Sequence, residues 1–153
     1  MNIEIYYYSK RGSTKIIAEE IASTLFKRAL DVVESTPINE PLDMLFLGCS
    51  KYMNNLPKEM KNFIENINVN KVKACAIFST SSNSKNALPL LKLALENRGL
   101  SVIDETFSCL GKGILFKKNH PDEEDKNNAR NYAKRVISLY FSLDGEKDKE
   151  IIF

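Results

Sequence analysis

The sequence contains no tryptophan, one histidine and three cysteines, and these shortages exclude several kinds of protein. Because Cys49, Cys75 and Cys109 are odd in number and widely spaced, they argue against a disulfide framework and favour a reducing, cytoplasmic location. His120 is the single histidine and no Cys-x-x-Cys pair accompanies it, which leaves too few ligands for a structural zinc or iron–sulfur site. We therefore expect no metal.

Long apolar runs and an excess of one charge are also missing. No apolar run approaches the length of about eighteen residues that a membrane helix needs, and the polar start of the chain does not resemble a signal peptide. The 22 basic and 20 acidic residues are interspersed and leave a formal charge of only +2. We expect neither a nucleic-acid partner nor a membrane.

What the sequence does have is enough apolar material, 43% of 153 residues, for the core of one domain. We expect that domain to span residues 1–143, with a charged C-terminal tail at 144–153. The short apolar runs that predict strands lie at residues 3–8, 31–34, 42–48, 72–78 and 102–109. The patterns that predict helices begin near Thr14, Pro57, Leu88 and Pro121.

This alternation of strands and helices predicts right-handed crossovers and a five-stranded parallel sheet with helices on both faces, an α/β doubly wound domain. In such sheets, ligands bind beyond the carboxyl ends of the strands, where the winding reverses. The loops after the first, third and fourth strands are therefore the candidate site.

The first of these loops lies between a strand and a helix. Its backbone amides and three hydroxyls suit a phosphate monoester, although an ordinary capping turn explains the same residues. It has neither the Gly-x-x-x-x-Gly-Lys pattern of a Walker A loop nor the three glycines of a dinucleotide site. Its residues are Ser9, Lys10, Arg11, Gly12, Ser13 and Thr14.

The second and third loops differ in aromatic content. In the second, Tyr52 and Met53 offer apolar surface to a planar ligand, or else pack within the loop. The candidate residues of that loop are Ser50, Lys51, Tyr52, Met53 and Asn54. The third loop has hydroxyls and an amide but no aromatic residue, and its candidates are Ser79, Thr80, Ser81, Ser82 and Asn83.

Two segments together resemble the flavodoxin family: the run from Ser9 to Thr14 and the run Gly48-Cys49-Ser50-x-Tyr52. The family's pattern hydroxyl-x-Thr-Gly-Asn-Thr is matched at Ser9, Gly12 and Thr14 but not at positions 11 and 13. The segment from Cys109 through Lys112 and Asn119 to Asp125 is similar to that of short, anaerobe-type members. The resemblance covers nearly the whole chain and implies a flavodoxin-like three-layer sandwich with sheet order 2-1-3-4-5.

The resemblance also implies FMN as cofactor, with its phosphate on residues 9–14 and its isoalloxazine ring between the second and third loops. Tyr52 would cover one face of the ring, and the carbonyl between Met53 and Asn54 would turn toward flavin N5 on reduction. The family usually supplies an aromatic residue from the third loop for the other face. Residues 79–83 contain none, so we expect one face of the flavin to be open.

Cations gather around this predicted site, whereas the family is commonly acidic and docks to basic reductases. The four are Lys10, Arg11, Lys15 and Lys51. Close to the ring they would stabilise reduced, anionic flavin and raise its potential; pointing to solvent they would leave the flavin unchanged. The charge pattern favours an acidic partner or an enzyme.

Three functions remain open, and we assign no catalytic residue. The leading one is an FMN-binding electron carrier between a reductase and an acceptor protein. The alternative is a reductase acting directly on a small conjugated substrate, such as a quinone or tetrapyrrole, over the open ring face. The third is a non-flavin interaction module of the same fold. A response-regulator receiver is excluded because Ser9 and Cys49-Ser50 stand where its acids are required.

Two further residues have alternative interpretations. Cys49 adjoins the second loop and is predicted to be a small buried hydrophobe, with a redox thiol as the alternative. His120 precedes Pro121 and is predicted to be a helix-entry residue, with a proton donor near the flavin as the alternative.

Overall fold

A computed structural model of the chain describes residues 1–83, 85–111 and 120–151. The strands are β1 (Ile3–Tyr7), β2 (Ala29–Asp31), β3 (Met44–Gly48), β4 (Cys75–Ser81) and β5 (Phe107–Leu110). The helices are α1 (Ser13–Thr24), α2 (Lys58–Glu65), α3 (Leu88–Asn97) and α4 (Glu123–Ile151), with a 3-10 turn at Val69–Lys71.

The strands form one parallel sheet in the order β2-β1-β3-β4-β5, which confirms the predicted fold. Alternate residues of the central strands face opposite sides. Phe46 and Phe78 pack with α1 and α4, whereas Leu45, Leu47 and Ile77 pack with α2 and α3. The core therefore has two halves separated by the sheet, which is why every residue of β3 is buried.

The structure places β2 earlier than the apolar pattern predicts, at Ala29–Asp31 in place of 31–34. The Asp31 carboxylate accepts a hydrogen bond from the Val33 amide at 2.8 Å, and the Asp31 carbonyl accepts one from Ser35 at 2.9 Å. These bonds turn the chain away from the sheet. The predicted strand thus begins where the real one ends.

The predicted limits of β4 and β5 are also corrected. Residues 79–81, predicted as loop, belong to β4, because they pair in parallel with residues 108–110 of β5. Before β5, Val102 makes only an isolated bridge to Cys75, so the predicted strand 102–109 reduces to Phe107–Leu110. β3 and β4 begin later than predicted, with Leu42 and Val72 joined by another isolated bridge.

The helices follow the prediction more closely. Pro57 occupies the position before α2, and Gly99, at a φ of +85°, follows α3. The backbone of α4 continues for 29 residues, through the segment predicted as a tail as far as Ile151. Lys112 and Asn119, which contribute to the family resemblance, and residues 152–153 of the predicted tail lie outside the described residues.

Within the described ranges, none of the helices has both the length and the hydrophobicity needed to cross a bilayer.

Candidate functional site

A cavity of about 570 Å³ lies beyond the carboxyl ends of β1, β3 and β4, where the sheet changes winding direction. The three predicted loops form its wall. All the predicted site residues line it except Gly12 and Ser79. The lining members are Ser9, Lys10, Arg11, Ser13, Thr14, Ser50, Lys51, Tyr52, Met53, Asn54, Thr80, Ser81, Ser82 and Asn83.

Gly12 and Ser79 do not line the cavity but make hydrogen bonds that stabilise its loops. Gly12 has a φ of +93°, which a residue with a side chain rarely adopts, and its amide donates to Ser9 Oγ at 3.0 Å. Ser79 Oγ donates to the Cys49 carbonyl at 2.7 Å and accepts from the Ala87 amide at 3.0 Å. Ser79 thereby joins the end of β3 to the start of α3.

Three hydroxyls, one from each predicted loop segment, meet at the base of the cavity. We call Thr14, Ser50 and Thr80 the hydroxyl cluster. Thr80 Oγ1 lies 2.7 Å from Thr14 Oγ1 and 2.9 Å from Ser50 Oγ. Thr14 Oγ1 and Ser50 Oγ are 3.3 Å apart. Thr14 and Thr80 are almost wholly buried. The cluster holds the three segments together with neutral hydrogen bonds.

The start of α1 is suited to an anion. Among the described residues, no side chain caps this helix and its first turn contains no acid, so no carboxylate offsets the positive end of its dipole. Ser9, Arg11 and Thr14 line the cavity at this end. This donor set fits a phosphate monoester, which helix N-termini bind through backbone amides.

Another part of the cavity wall is suited to a flat aromatic group. Tyr52 is 52% exposed and Met53 is 83% exposed, so the alternative of packing within the loop does not hold for them. Lys10 Nζ lies 4.2 Å from the centroid of the Tyr52 ring, within the range of a cation–π contact. Tyr52 therefore presents its ring to the same cavity that the first residues of α1 line.

Residues 52–55 form a tight turn that presents this wall. The Tyr52 amide donates to the Asn55 carbonyl at 2.8 Å, and the Asn55 amide donates back at 2.9 Å. Met53 and Asn54 have φ values of +47° and +62°, the left-handed pair of a type I′ turn. Asparagine adopts this region more readily than methionine, for which it carries a steric cost.

We expect Met53→Gly to raise the free energy of unfolding by about 1 kcal/mol, because glycine adopts a positive φ without steric cost. Asn54→Gly is the matched control and should have a smaller effect. Urea denaturation of the cofactor-free protein measures both variants. A loss of stability in Met53→Gly would contradict the strain at this position.

Further residues of the cavity wall were not predicted from the sequence: Tyr8, Pro57, Lys58, Glu59, Lys85 and Gly111. Gly111 could have been anticipated, because it directly follows β5, at the same edge of the sheet. A Cβ on Gly111 would lie 3.0 Å from Ser13 Oγ, so the two segments are closely packed.

Burial, and then the Glu59 carboxylate, raise the pKa of Tyr8, which keeps its hydroxyl protonated.

Cys49 and His120 do not line this cavity. Cys49 is fully buried, and burial raises the pKa of its thiol to about 12, which suits the predicted small hydrophobe better than a redox thiol. His120 Nδ1 lies 2.8 Å from Asp125 Oδ2 and 3.7 Å from Asp122 Oδ2, at the start of α4. Ligand atoms of these three groups lie within 4.8 Å of one another, a spacing that hydrogen bonds among surface groups explain.

A doubly wound sheet with an anion-binding helix start after β1 and an aromatic wall after β3 defines a flavodoxin-like, flavin-binding redox protein. The family model described as "Flavodoxin domain" matches residues 4–111, so the chain belongs to the flavodoxin domain family.

Individual relatives agree with this assignment. An uncharacterized protein of Methanocaldococcus jannaschii is 28% identical over 149 residues, covering 87% of this chain and 93% of the relative. A solved flavodoxin from the domain Archaea superposes with a TM-score of 0.76 at 17% identity, covering 92% of this chain and 99% of that one. Oxidised flavodoxin 2 from Bacillus cereus gives 0.65 at 20% identity, covering 94% and 99%. At these identities the solved structures establish the shared fold.

Proposed function

We propose that the chain binds FMN and carries electrons between a reductase and an acceptor protein. The proposal is supported by one observation: an uncapped helix start, the hydroxyl cluster and an exposed aromatic ring all line the same cavity. One end of the wall suits a phosphate and the other a planar ring, as FMN requires. Because Cys49, Cys75 and Cys109 are all free thiols, we place this activity in the cytoplasm.

Different residues of the wall would bind the phosphate and the ring of FMN. The amides at the start of α1, together with the hydroxyls of Ser9 and Thr14, would hold the phosphate, and Arg11 would balance its charge. Tyr52 would stack on one face of the isoalloxazine ring. When bound, FMN supplies the one- and two-electron chemistry, and the chain supplies position and electrostatics.

Purification from a cytosolic host tests the cofactor. We expect a yellow protein whose flavin is released as FMN on denaturation, and cofactor-free protein that regains the colour when FMN is added. FMN should also raise the melting temperature, because a ligand that binds only the folded state stabilises it. A colourless protein that FMN neither tints nor stabilises would refute the proposal.

A second candidate, a reductase acting directly on a small conjugated substrate such as a quinone or tetrapyrrole, is favoured by one feature of the third loop. Ser81, Ser82 and Asn83 line the cavity without any aromatic ring, and Ser82 and Asn83 are exposed. This side of the wall leaves room for a second planar molecule. Saturable reoxidation of the reduced protein by a quinone alone would support the reductase, whereas turnover only with a protein partner would support the carrier.

A further inference from the structure

The mouth of the cavity is strongly basic. We call Lys10, Arg11, Lys51, Lys58 and Lys85 the basic rim; all five line the cavity. Glu59 is the only acid on that wall among the residues that the structure describes. A chain with a formal charge of +2 therefore concentrates positive charge at one edge of the sheet.

None of the five cations forms an ion pair within the described part of the chain. Elsewhere the protein does pair cations with acids. Arg130 Nη1 lies 2.7 Å from Glu20 Oε2, and Arg135 Nε lies 2.7 Å from Glu105 Oε1. The field of the basic rim is thus not cancelled locally, and it extends from the surface.

A bound phosphate would account for only part of this charge. Lys10 and Arg11 belong to the loop that leads into α1, where the phosphate is proposed to bind. Lys51 belongs to the second loop, Lys58 is the first residue of α2 and Lys85 follows the third loop; Lys58 and Lys85 are exposed. These three cations lie outside the loop at which the phosphate is proposed to bind.

An exposed apolar centre accompanies the basic rim. Met53, 83% exposed, stands with Tyr52 at the tip of the turn between Lys51 and Lys58. Methionine, aromatic residues and arginine are enriched in protein interfaces, which commonly have an apolar centre and a polar rim where lysines stay solvated. A patch built in this way suits brief encounters between redox proteins.

We propose that the basic rim, with Met53 at its centre, is the docking surface for an acidic redox protein. This inference rests on the proposed function, because docking here serves transfer to or from the bound flavin. Complementary charge would steer the partner to the edge of the sheet where the flavin lies, and the apolar centre would hold it during transfer. The association rate should therefore fall as salt screens the rim.

The test uses the FMN-loaded protein and reduced plant-type ferredoxin, an acidic protein, as electron donor. Stopped-flow absorbance follows the reduction of the flavin at increasing ionic strength. Lys58→Gln combined with Lys85→Gln should lower the second-order rate constant about three- to tenfold at low salt. The matched control combines Lys27→Gln with Lys134→Gln, two exposed cations away from the cavity, and should change it less than about twofold.

The outcomes separate the two proposals. If the chain takes up no FMN, both are refuted. If it takes up FMN but the rate constant rises with salt, or the two double variants behave alike, only the docking surface is refuted. Anthraquinone disulfonate, a small anion, serves as a second probe: if the rim variant slows its reduction as strongly as it slows the ferredoxin reaction, the rim recognises small anions and docking is refuted.

Discussion

Gly48→Ala should lower the free energy of unfolding by about 3 kcal/mol, because the new methyl group has no space in the core. Gly48 ends β3 and is the parallel partner of Phe78 in β4. A Cβ at this position would lie 2.2 Å from Phe78 Cε2, and the Phe78 side chain is fully buried. The ring cannot move aside without displacing its neighbours, since protein cores are close-packed.

Gly99→Ala is the matched control for this prediction. Gly99 has a φ of +85°, but among the described residues no atom beyond its chain neighbours lies within 4 Å of the position that a Cβ would take. The control should therefore cost about 1 kcal/mol, from backbone strain alone. Urea denaturation measures both variants. A smaller loss for Gly48→Ala than for Gly99→Ala would show that Phe78 readily yields the space.

Tyr52→Ala should weaken FMN binding by about 1–3 kcal/mol, because it removes the aromatic face that is proposed to cover the flavin. The unfolding of the cofactor-free protein should change little, since the Tyr52 side chain is half exposed and its main hydrogen bonds come from the backbone. Titration of cofactor-free protein with FMN, followed by quenching of flavin fluorescence, measures the affinity.

Two controls make the result specific to stacking. Tyr52→Phe keeps the ring and should retain the affinity of the natural protein. Phe26→Ala removes an aromatic side chain that is 95% exposed at the far end of α1, and it should leave FMN binding unchanged. Equal losses in Tyr52→Ala and Tyr52→Phe would assign the effect to the hydroxyl, and unchanged affinity in Tyr52→Ala would reject the stacking assignment.

The sequence predicts a five-stranded parallel sheet and the loops that form the cavity because both depend on local patterns, whereas the order of the strands comes from the family resemblance. The continuous apolar run of β3 indicates a strand covered on two faces, and the polar segments after it mark the ligand edge. Family resemblance adds the flavin, which the loop residues alone leave open. These predictions stay correct even though the predicted limits of individual strands differ from the structure by a few residues.

The sequence does not predict features that depend on distant partners. Ser79 and Thr80 are fully buried in β4, although a polar pair of this kind usually predicts a loop. Their hydroxyls are satisfied by Ala87, which lies nearby in the chain, and by Cys49, Thr14 and Ser50, which lie far away in it.

The neutrality of the hydroxyl cluster has a consequence for how this protein can evolve. Thr14, Ser50 and Thr80 join the loops without any charge, whereas the cations that would face the proposed partner belong to other residues of the cavity wall. Apart from Arg11, which would contribute to both, retention of FMN and recognition of the proposed partner would thus depend on different side chains. Under the docking proposal, single substitutions of the rim lysines would change the choice of redox partner while the loops keep their shape.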